Sequence, residues 1–347
     1  MSPDYQAIRE AVAWRRAPEL ALLSLRGDDA RDALLHLCPS RLLLRDAQVE
    51  ESLLLDADGR PIADVLVCAD DEDYLLIVEG LGGDALLAHV EASLPAGCAP
   101  EVALEGGRAV LSMHGPWAWD LVSRVLGDDM MALPYLSLFR IDHGICVRAG
   151  KTGEFGYDVV MEREALEALV PQVEAAAAAL GGREVSAEAV GRCRFENGFF
   201  DPAHVPAGVT PLELQLGWRL DWRRDLERDF VGRAAIDARL AAGVTRRRVM
   251  LTADAMLSGA MLSGVLHLGG QVVGEVIRAE DSEALGPIAS ALLDVRVAHG
   301  GVRLDEGATV AAPPLVDNRS LHVDPRRHTF EARDEIVFPP LVRGSEA

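Results

Sequence analysis

Basic residues are scarce in this chain: 34 lysines and arginines stand against 55 acids over 347 residues, a formal charge of −21. Nucleic acid as the main partner is disfavoured, because phosphates call for a basic surface, and an anionic membrane face is disfavoured for the same reason. An acidic surface of this kind serves solubility and leaves room for a local basic pocket. Aromatic residues amount to only 5%. Cysteine is sparse as well: Cys38, Cys68, Cys98, Cys146 and Cys193 are odd in number, form no Cys-x-x-Cys pair and lie at no metal-ligand spacing. Cys68 and Cys146 fall in apolar, β-like runs as small core residues, and a reduced, cytoplasmic setting is expected. No apolar stretch is long enough for a bilayer, and none at the N-terminus reads as a signal segment.

Several motifs are missing too. Gly80-Leu81-Gly82-Gly83 is not a dinucleotide fingerprint, and no phosphate-binding Gly-Lys-Ser/Thr loop is found. There is no Gly-x-Ser-x-Gly elbow. The nine histidines are scattered, so no metal is expected. No independent case remains for a hydrolase, a dehydrogenase or a metalloenzyme.

What is present is an ordinary globular balance, 49% hydrophobic and 26% charged, over a length that asks for two or three domains. A first helix is read over residues 5–16 and a strand over 20–25, followed by a helix over 30–37 that Gly27-Asp28-Asp29 can cap. Strands at 51–56, 62–68 and 74–78 form a meander, the first two joined across an Asp58-Gly59 hairpin signal. Asp84 can cap a helix to residue 94. A strand at 109–113 leads into His114-Gly115-Pro116, where Pro opens a helix and His114 reads as a turn residue, with Trp117 and Trp119 packing the helix start. An apolar stripe over 162–180 marks a helix that Pro171 should kink or divide, and 187–196 reads as a helix carrying Arg192 and Arg194. The loop 199–210 contains His204, either lining a substrate entrance or an ordinary loop residue. A short helix follows at 234–241. Short strands from 246 onward suit a small barrel or sandwich.

One stretch stands out. From Arg148 to Asp158 three glycines, Gly150, Gly153 and Gly156, fall within seven residues around a single acid, Glu154. Backbone there must turn sharply or pass close to something. The acid can accept two parallel N–H bonds from a flat heterocycle, or be a solvated residue on a Gly-rich hairpin. Asp64 interrupts an apolar strand, where an acid is costly unless satisfied; it caps a bulge or faces water, or it has chemical work to do.

The run Thr152-Gly153-Glu154-Phe155-Gly156-Tyr157-Asp158 resembles the Thr-Gly-Glu-x-Gly-Tyr-Glu signature of the aminomethyltransferase family, the T-protein of the glycine cleavage system. Phe195-Glu196-Asn197-Gly198, Thr210-Pro211-Leu212-Glu213, Leu216-Gly217-Trp218 and Asp229-Phe230-Val231-Gly232-Arg233 follow in that family's order and spacing. Gly59 to Val67 is similar to its Gly-Gly-x-x-Asp-Asp-Leu-Ile-Val pattern, with Ala63 at the first acid and Asp64 at the second. The resemblance covers most of the chain and fades after about Gly264. It implies an α+β, T-protein-like multidomain fold: a folate-binding core of two intertwined subdomains over residues 1–242 and a C-terminal small β-barrel with a tail over 243–347. The tail from 313 has no family counterpart.

The same resemblance implies tetrahydrofolate as co-substrate. Glu154 would grip the pterin, with Tyr157, Thr152 and Gly153 shaping its slot. Asp64 would lie by the nitrogen that exchanges the carbon unit, as the candidate catalytic and cofactor-binding acid. Arg194, which matches the family's Leu-Arg-Leu-Glu-Ala-Gly arginine, would serve the substrate side with Lys151 and His204. The sequence departs from the family at Ala63, at Glu79 (an Asn there), at Lys151 (a Tyr there), and at Val190-Gly191, where the family has Arg-Asp. The resemblance implies one-carbon transfer, methyl or methylene, and these departures point to a small-molecule donor or acceptor other than the lipoyl protein of glycine cleavage. A carrier protein is a further partner to be expected. Two other readings stay open: a genuine glycine cleavage aminomethyltransferase, and a non-enzymatic folate-binding protein of the iron–sulfur-maintenance type. The latter's Lys-Gly-Cys-Tyr-x-Gly-Gln-Glu motif is missing at Arg194 to Phe199.

Overall fold

Alternation of apolar residues in the first third of the chain builds an antiparallel sheet with two apolar faces. In the computed structural model, which describes residues 1–221, 228–253 and 264–342, its strand order is Val49–Leu55, Pro61–Asp70, Asp73–Glu79, Ala21–Arg26, Glu101–Leu104. The Asp-Gly hairpin forms as its residues predict: Gly59 adopts φ +73°, and Asp56 Oδ1 accepts the N–H groups of Asp58 and Arg60 at 3.0 and 2.9 Å. Helices Ala30–Leu37 and Gly83–Ser93 cover one face, packing Leu34, Leu37, Leu86 and Val90 on Leu23, Val65, Val67 and Val78.

The second sheet has six strands, in the order Arg183–Glu184, Ala13–Arg16, Arg108–His114, Gly156–Glu162, Gly144–Val147, Leu138–Ile141. Helices Ala118–Leu126 and Arg163–Ala179 cover its outer face through Leu121, Val122, Leu166, Val170 and Val173, and Trp117 and Trp119 are buried among them. The inner faces of the two sheets meet at Leu22, Leu66, Leu75 and Ile77 against Val110, Ile145, Val147 and Val160. The result is four layers, helices–sheet–sheet–helices. The α+β class expected from the sequence is the one observed.

The third sheet is antiparallel, in the order Val265–Leu268, Gln271–Ser282, Gly286–Asp294, Arg246–Ala253, Ala308–Ala311, around its own apolar cluster. Its two edges curl toward each other: Arg303 bridges to Thr309, and the Asp305 N–H donates to His267 O at 2.9 Å. The chain then returns to the first two sheets. Leu315 N–H donates to Glu196 O at 2.9 Å, and the Phe330 ring stands edge-on to Trp117 at 5.6 Å. The last five residues of the expected tail lie outside those described.

Three element readings need correction. The helix expected over 5–16 is a helix only at Pro3–Glu10; Ala13–Arg16 is a strand paired with the one ending at His114. That pairing satisfies both backbones, and the strand alternation sends Trp14 to the helical side and Arg15 to the inner side. Pro171 does not divide its helix, which runs unbroken over Arg163–Ala179; the proline lies on the exposed face between Val170 and Val173, which anchor the helix. Gly82 rather than Asp84 occupies the cap position of its helix, with no side-chain cap. Among the described residues no helix is long and apolar enough to cross a membrane, and no cluster of three His, Cys, Asp or Glu could hold a metal ion.

Candidate active site

Asp64 and Glu79 lie directly opposite each other on neighbouring strands of the first sheet, both turned toward the second sheet. Like charges in register repel, so cations must answer them. Lys151, from the Gly-rich loop, donates to Asp64 Oδ2 at 2.6 Å and to Glu79 Oε2 at 3.3 Å. Arg194, from helix Ala187–Glu196, bonds Glu79 Oε1 and lies 3.6 Å from Asp64. Arg219, from the 3-10 turn Gly217–Arg219, donates to Asp64 Oδ1 and to Glu51 Oε2, each at 2.7 Å. Asp64 is 1% exposed. Burial alone would raise its carboxyl; the attraction of Lys151, then of Arg219 and Arg194, outweighs that and holds it at about 2. It is a fixed negative charge across the physiological range.

A pocket opens beside this cluster between the two inner faces. Leu66, Ile77 and Glu79 contribute from the first sheet; Arg15, Ser112, His114 and Asp158 from the second; Ala149, Gly150, Lys151 and Val190 close it. Asp158 accepts from Ser112 Oγ at 2.5 Å, its partner in the strand register. It has no ion pair among the described residues. Burial, only partly offset by Ser112 and Lys151, pushes its carboxyl up to about 6. His114 is buried, its Nδ1 has no partner, and burial reinforced by Arg15 pushes the ring down to about 4, so it is neutral. An under-satisfied carboxylate and an unpartnered ring nitrogen between apolar walls are what a flat, polar-edged ligand would complete.

The Gly-rich loop takes a different course from the one expected. Gly150 and Gly156 cross so closely that a Cβ on Gly150 would stand 2.8 Å from the Gly156 Cα. The glycines thus serve backbone crossing. Beyond that crossing the chain turns inward. Glu154 accepts from Ser320 N at 2.8 Å, Ser320 Oγ at 2.7 Å and Arg319 N at 3.3 Å, all from the C-terminal tail, and pairs with Arg9 at 3.3 Å. Burial raises its carboxyl, with Arg9 and then Ser320 opposing. Thr152 is fully buried and gives its carbonyl to Arg9 and Asn197, each at 2.8 Å. Gly153 adopts φ +84° with the amides of Asn197 and Asn318 packed where a Cβ would go. Arg9 ties the cluster together, donating also to Asn318 Oδ1 at 2.7 Å, Cys193 O at 3.2 Å and Glu196.

Glu154, Thr152, Gly153 and Tyr157, expected to line a ligand slot, do not lie along this pocket. Glu154 and Gly153 meet the protein's own tail, and Thr152 is held by Arg9 and Asn197. Tyr157 follows the strand period of two onto the helix-covered face, where it belongs to the apolar cluster of Trp117 and Leu111 and lies opposite Met113; its neighbour Asp158 takes the pocket side. Arg194 and Lys151 do converge with Asp64. His204 does not: it sits exposed on the 3-10 turn Pro202–His204, 2.8 Å from Asp201. Sequence reading gave no role to Ser112, Asp158 or Arg219, noted Glu79 only as a departure from the family pattern, and took His114 for a turn residue. The signal for Asp158 was in plain view, since the residue next to Tyr157 must face the other way.

The family model of the GCVT N-terminal domain matches residues 1–224. The mitochondrial aminomethyltransferase of Canis lupus familiaris is 29% identical over 246 residues, 67% of this chain and 59% of that protein. The aminomethyltransferase of Frankia alni is 29% identical over 328 residues, 90% of this chain and 88% of that one. Synechococcus sp. (strain RCC307) has one that is 26% identical over 313 residues, 87% and 84% of the two chains. Among solved structures, the glycine cleavage system aminomethyltransferase T from Bartonella henselae superposes with a TM-score of 0.78 over 91% of this chain and 89% of its own, at 20% identity. The last likeness is one of fold.

Proposed function

The chain belongs to the GCVT N-terminal domain family, and we propose that it is a tetrahydrofolate-dependent one-carbon transferase whose acceptor pocket is the one bounded by Asp158, Ser112 and His114. The observation that carries the reading is Asp158: a carboxyl with no counter-ion among the described residues, held by burial at about 6, at the floor of a slot with apolar walls. An amino-pyrimidine edge would supply the N–H donors that such a carboxylate needs. His114 Nδ1 would accept or donate one further bond, according to its tautomer, and Leu66, Ile77 and Val190 would bracket the ring plane. Folate, when bound, supplies the nitrogen that gives or takes the carbon unit.

The chain's own residues position and polarise. Asp64, held at about 2 by three cations, does not take up a proton near neutrality. Its charge orients Lys151 and Arg194, whose other partner, Glu79, stands on the pocket wall. Transfer then depends on holding donor and acceptor at near-attack distance, for which orientation alone is worth about 7–11 kcal/mol at the favourable extreme. Lys151 occupies one carboxylate oxygen of Asp64 and Arg219 the other, which leaves little of that charge to stabilise a cationic methylene iminium. That favours methyl transfer from a small-molecule donor over aminomethyl transfer from a carrier protein.

Titration calorimetry with tetrahydrofolate and its 5-methyl and 5,10-methylene forms tests the reading. Binding of the unsubstituted and 5-methyl forms is expected. No heat with any form, with or without candidate methyl donors, would overturn it.

A further inference from the structure

A second cleft lies between the two-sheet core and the third sheet. Its walls are apolar, with Tyr135, Phe199, Leu214, Trp218, Met250 and Pro313 among them. Trp218 keeps 66% of its surface exposed and Tyr135 56%. Large aromatic rings left uncovered along a cleft are the mark of a binding surface.

Into this cleft projects Arg248. Its backbone is fixed, its N–H donating to Glu213 O at 2.7 Å and its carbonyl accepting from Gln215 Nε2 at 2.6 Å. Its guanidinium is not satisfied in the same way. Nη1 donates to Gly198 O at 3.0 Å, and Nη2 finds only the Met250 sulfur at 3.7 Å. Among the described residues it makes no ion pair, whereas its cationic neighbours all do. Arg194 is taken by Glu79, Arg278 by Asp201 at 2.7 Å and by Glu280, and Arg219 by Asp64 and Glu51. The nearby acid Asp201 is already shared between Arg278 and His204. Burial pushes the Arg248 guanidinium down to about 10; the attraction of Asp201 opposes this, and Arg194 and Arg278 add repulsion. A partly buried cation beside two others, with no acid in ion-pair contact and the nearby one already committed, is an arrangement that an incoming anion would relieve.

We propose that Arg248 anchors a subsite for a small organic acid, with the ligand's carboxylate on the guanidinium fork and its apolar body along Phe199, Leu214 and Trp218. One carboxylate matches the one unpaired guanidinium. A phosphate dianion would carry excess charge into an apolar cleft. The far end of such a ligand points at chemistry already described: Glu51 borders both this cleft and the folate pocket, and Arg219 lines the cleft while bonding Asp64. As the donor side of a transferase the subsite rests on the function proposed above; as an anion site it stands without it.

The test is calorimetry on the full-length protein without folate, using benzoate and cyclohexanecarboxylate as probes and benzamide as the neutral counterpart. Both acids are expected to bind, benzamide at least about tenfold more weakly, and Arg248→Gln to weaken the acids by at least about tenfold. Arg248→Lys should recover part of the loss, and Asp158→Asn should leave acid binding unchanged. If Arg248→Gln does not fold by circular dichroism, the acid–amide comparison on the native protein and the Arg248→Lys variant decide. Equal affinity for benzoate and benzamide, undiminished binding in Arg248→Gln, or inorganic phosphate binding as tightly as the acids would each overturn the proposal. Folate titration of the same preparation separates the two claims: acid binding without folate binding keeps the subsite and removes the transferase, and the reverse result does the opposite.

Discussion

Asp158→Asn should weaken folate binding and stabilise the protein at once. Asp158 sits at about 6 in the folded chain against an ordinary 3.8, so the sign is that of an acid whose pKa is raised. Below about pH 3.8 both folded and unfolded chains hold the proton, and the group costs nothing. Between there and about pH 6 the unfolded chain ionises first, and above pH 6 the folded chain carries the full penalty. At about 1.36 kcal/mol per pH unit the upper figure is about 3 kcal/mol. Solvent reaching the pocket reduces this to roughly 1–2 kcal/mol. Asparagine keeps an oxygen for Ser112 Oγ, which now donates at 2.5 Å, and removes the charge. Urea denaturation should therefore show the variant more stable by about 1–2 kcal/mol at pH 8 and indistinguishable from the native protein near pH 4. Tetrahydrofolate affinity should fall roughly 10- to 100-fold, the worth of a charge-assisted hydrogen bond. A variant that is less stable at pH 8, or one that binds folate undiminished, would refute the assignment of this acid to the ligand.

Arg9→Met should cost about 3–5 kcal/mol in chemical denaturation at pH 7, because Glu154 and Glu196 lose a buried partner together. That cost should shrink as pH falls, since burial already favours the protonated form of Glu154. Lys151→Met should lower stability by only about 1 kcal/mol, because Arg219 and Arg194 still face Asp64; stopped-flow single turnovers should show a slower transfer step with folate affinity little changed. Tyr157→Phe should leave folate affinity within about twofold and stability within about 0.5 kcal/mol, since the ring packs on the helical side of the sheet and its hydroxyl makes no hydrogen bond among the described residues. A tenfold loss of affinity in calorimetry would return Tyr157 to the pocket.

Helices 30–37 and 187–196 and the hairpin at Asp58-Gly59 were legible because local chemistry decides them: periodicity and a residue able to adopt positive φ; the side-chain cap expected at Asp28-Asp29 does not form, although Asp29 occupies the cap position. Arg194 was legible as a candidate because it matches a motif position, and Lys151 because it stands beside one, where the family has a Tyr. The reading of Ala13–Arg16 failed for lack of local information; whether Trp14 ends a helix or opens a strand is settled by the backbone of residues 111–114 waiting to pair with it.

The central loop divides the two kinds of information most sharply. The amino-acid sequence by itself determined that backbone turns sharply or passes close to something among Gly150, Gly153 and Gly156, and that an acid stands within the turn; that Gly150 crosses Gly156, and that Asp158 rather than Tyr157 takes the pocket side, came with the sheet. Which acid is left short of donors was decided only by tertiary structure. A tail more than 150 residues downstream brings Ser320 onto Glu154, and a strand some 45 residues upstream brings only a hydroxyl to Asp158. An acid's availability depends on how many donors the rest of the fold delivers to it, and no local stretch of sequence carries that count.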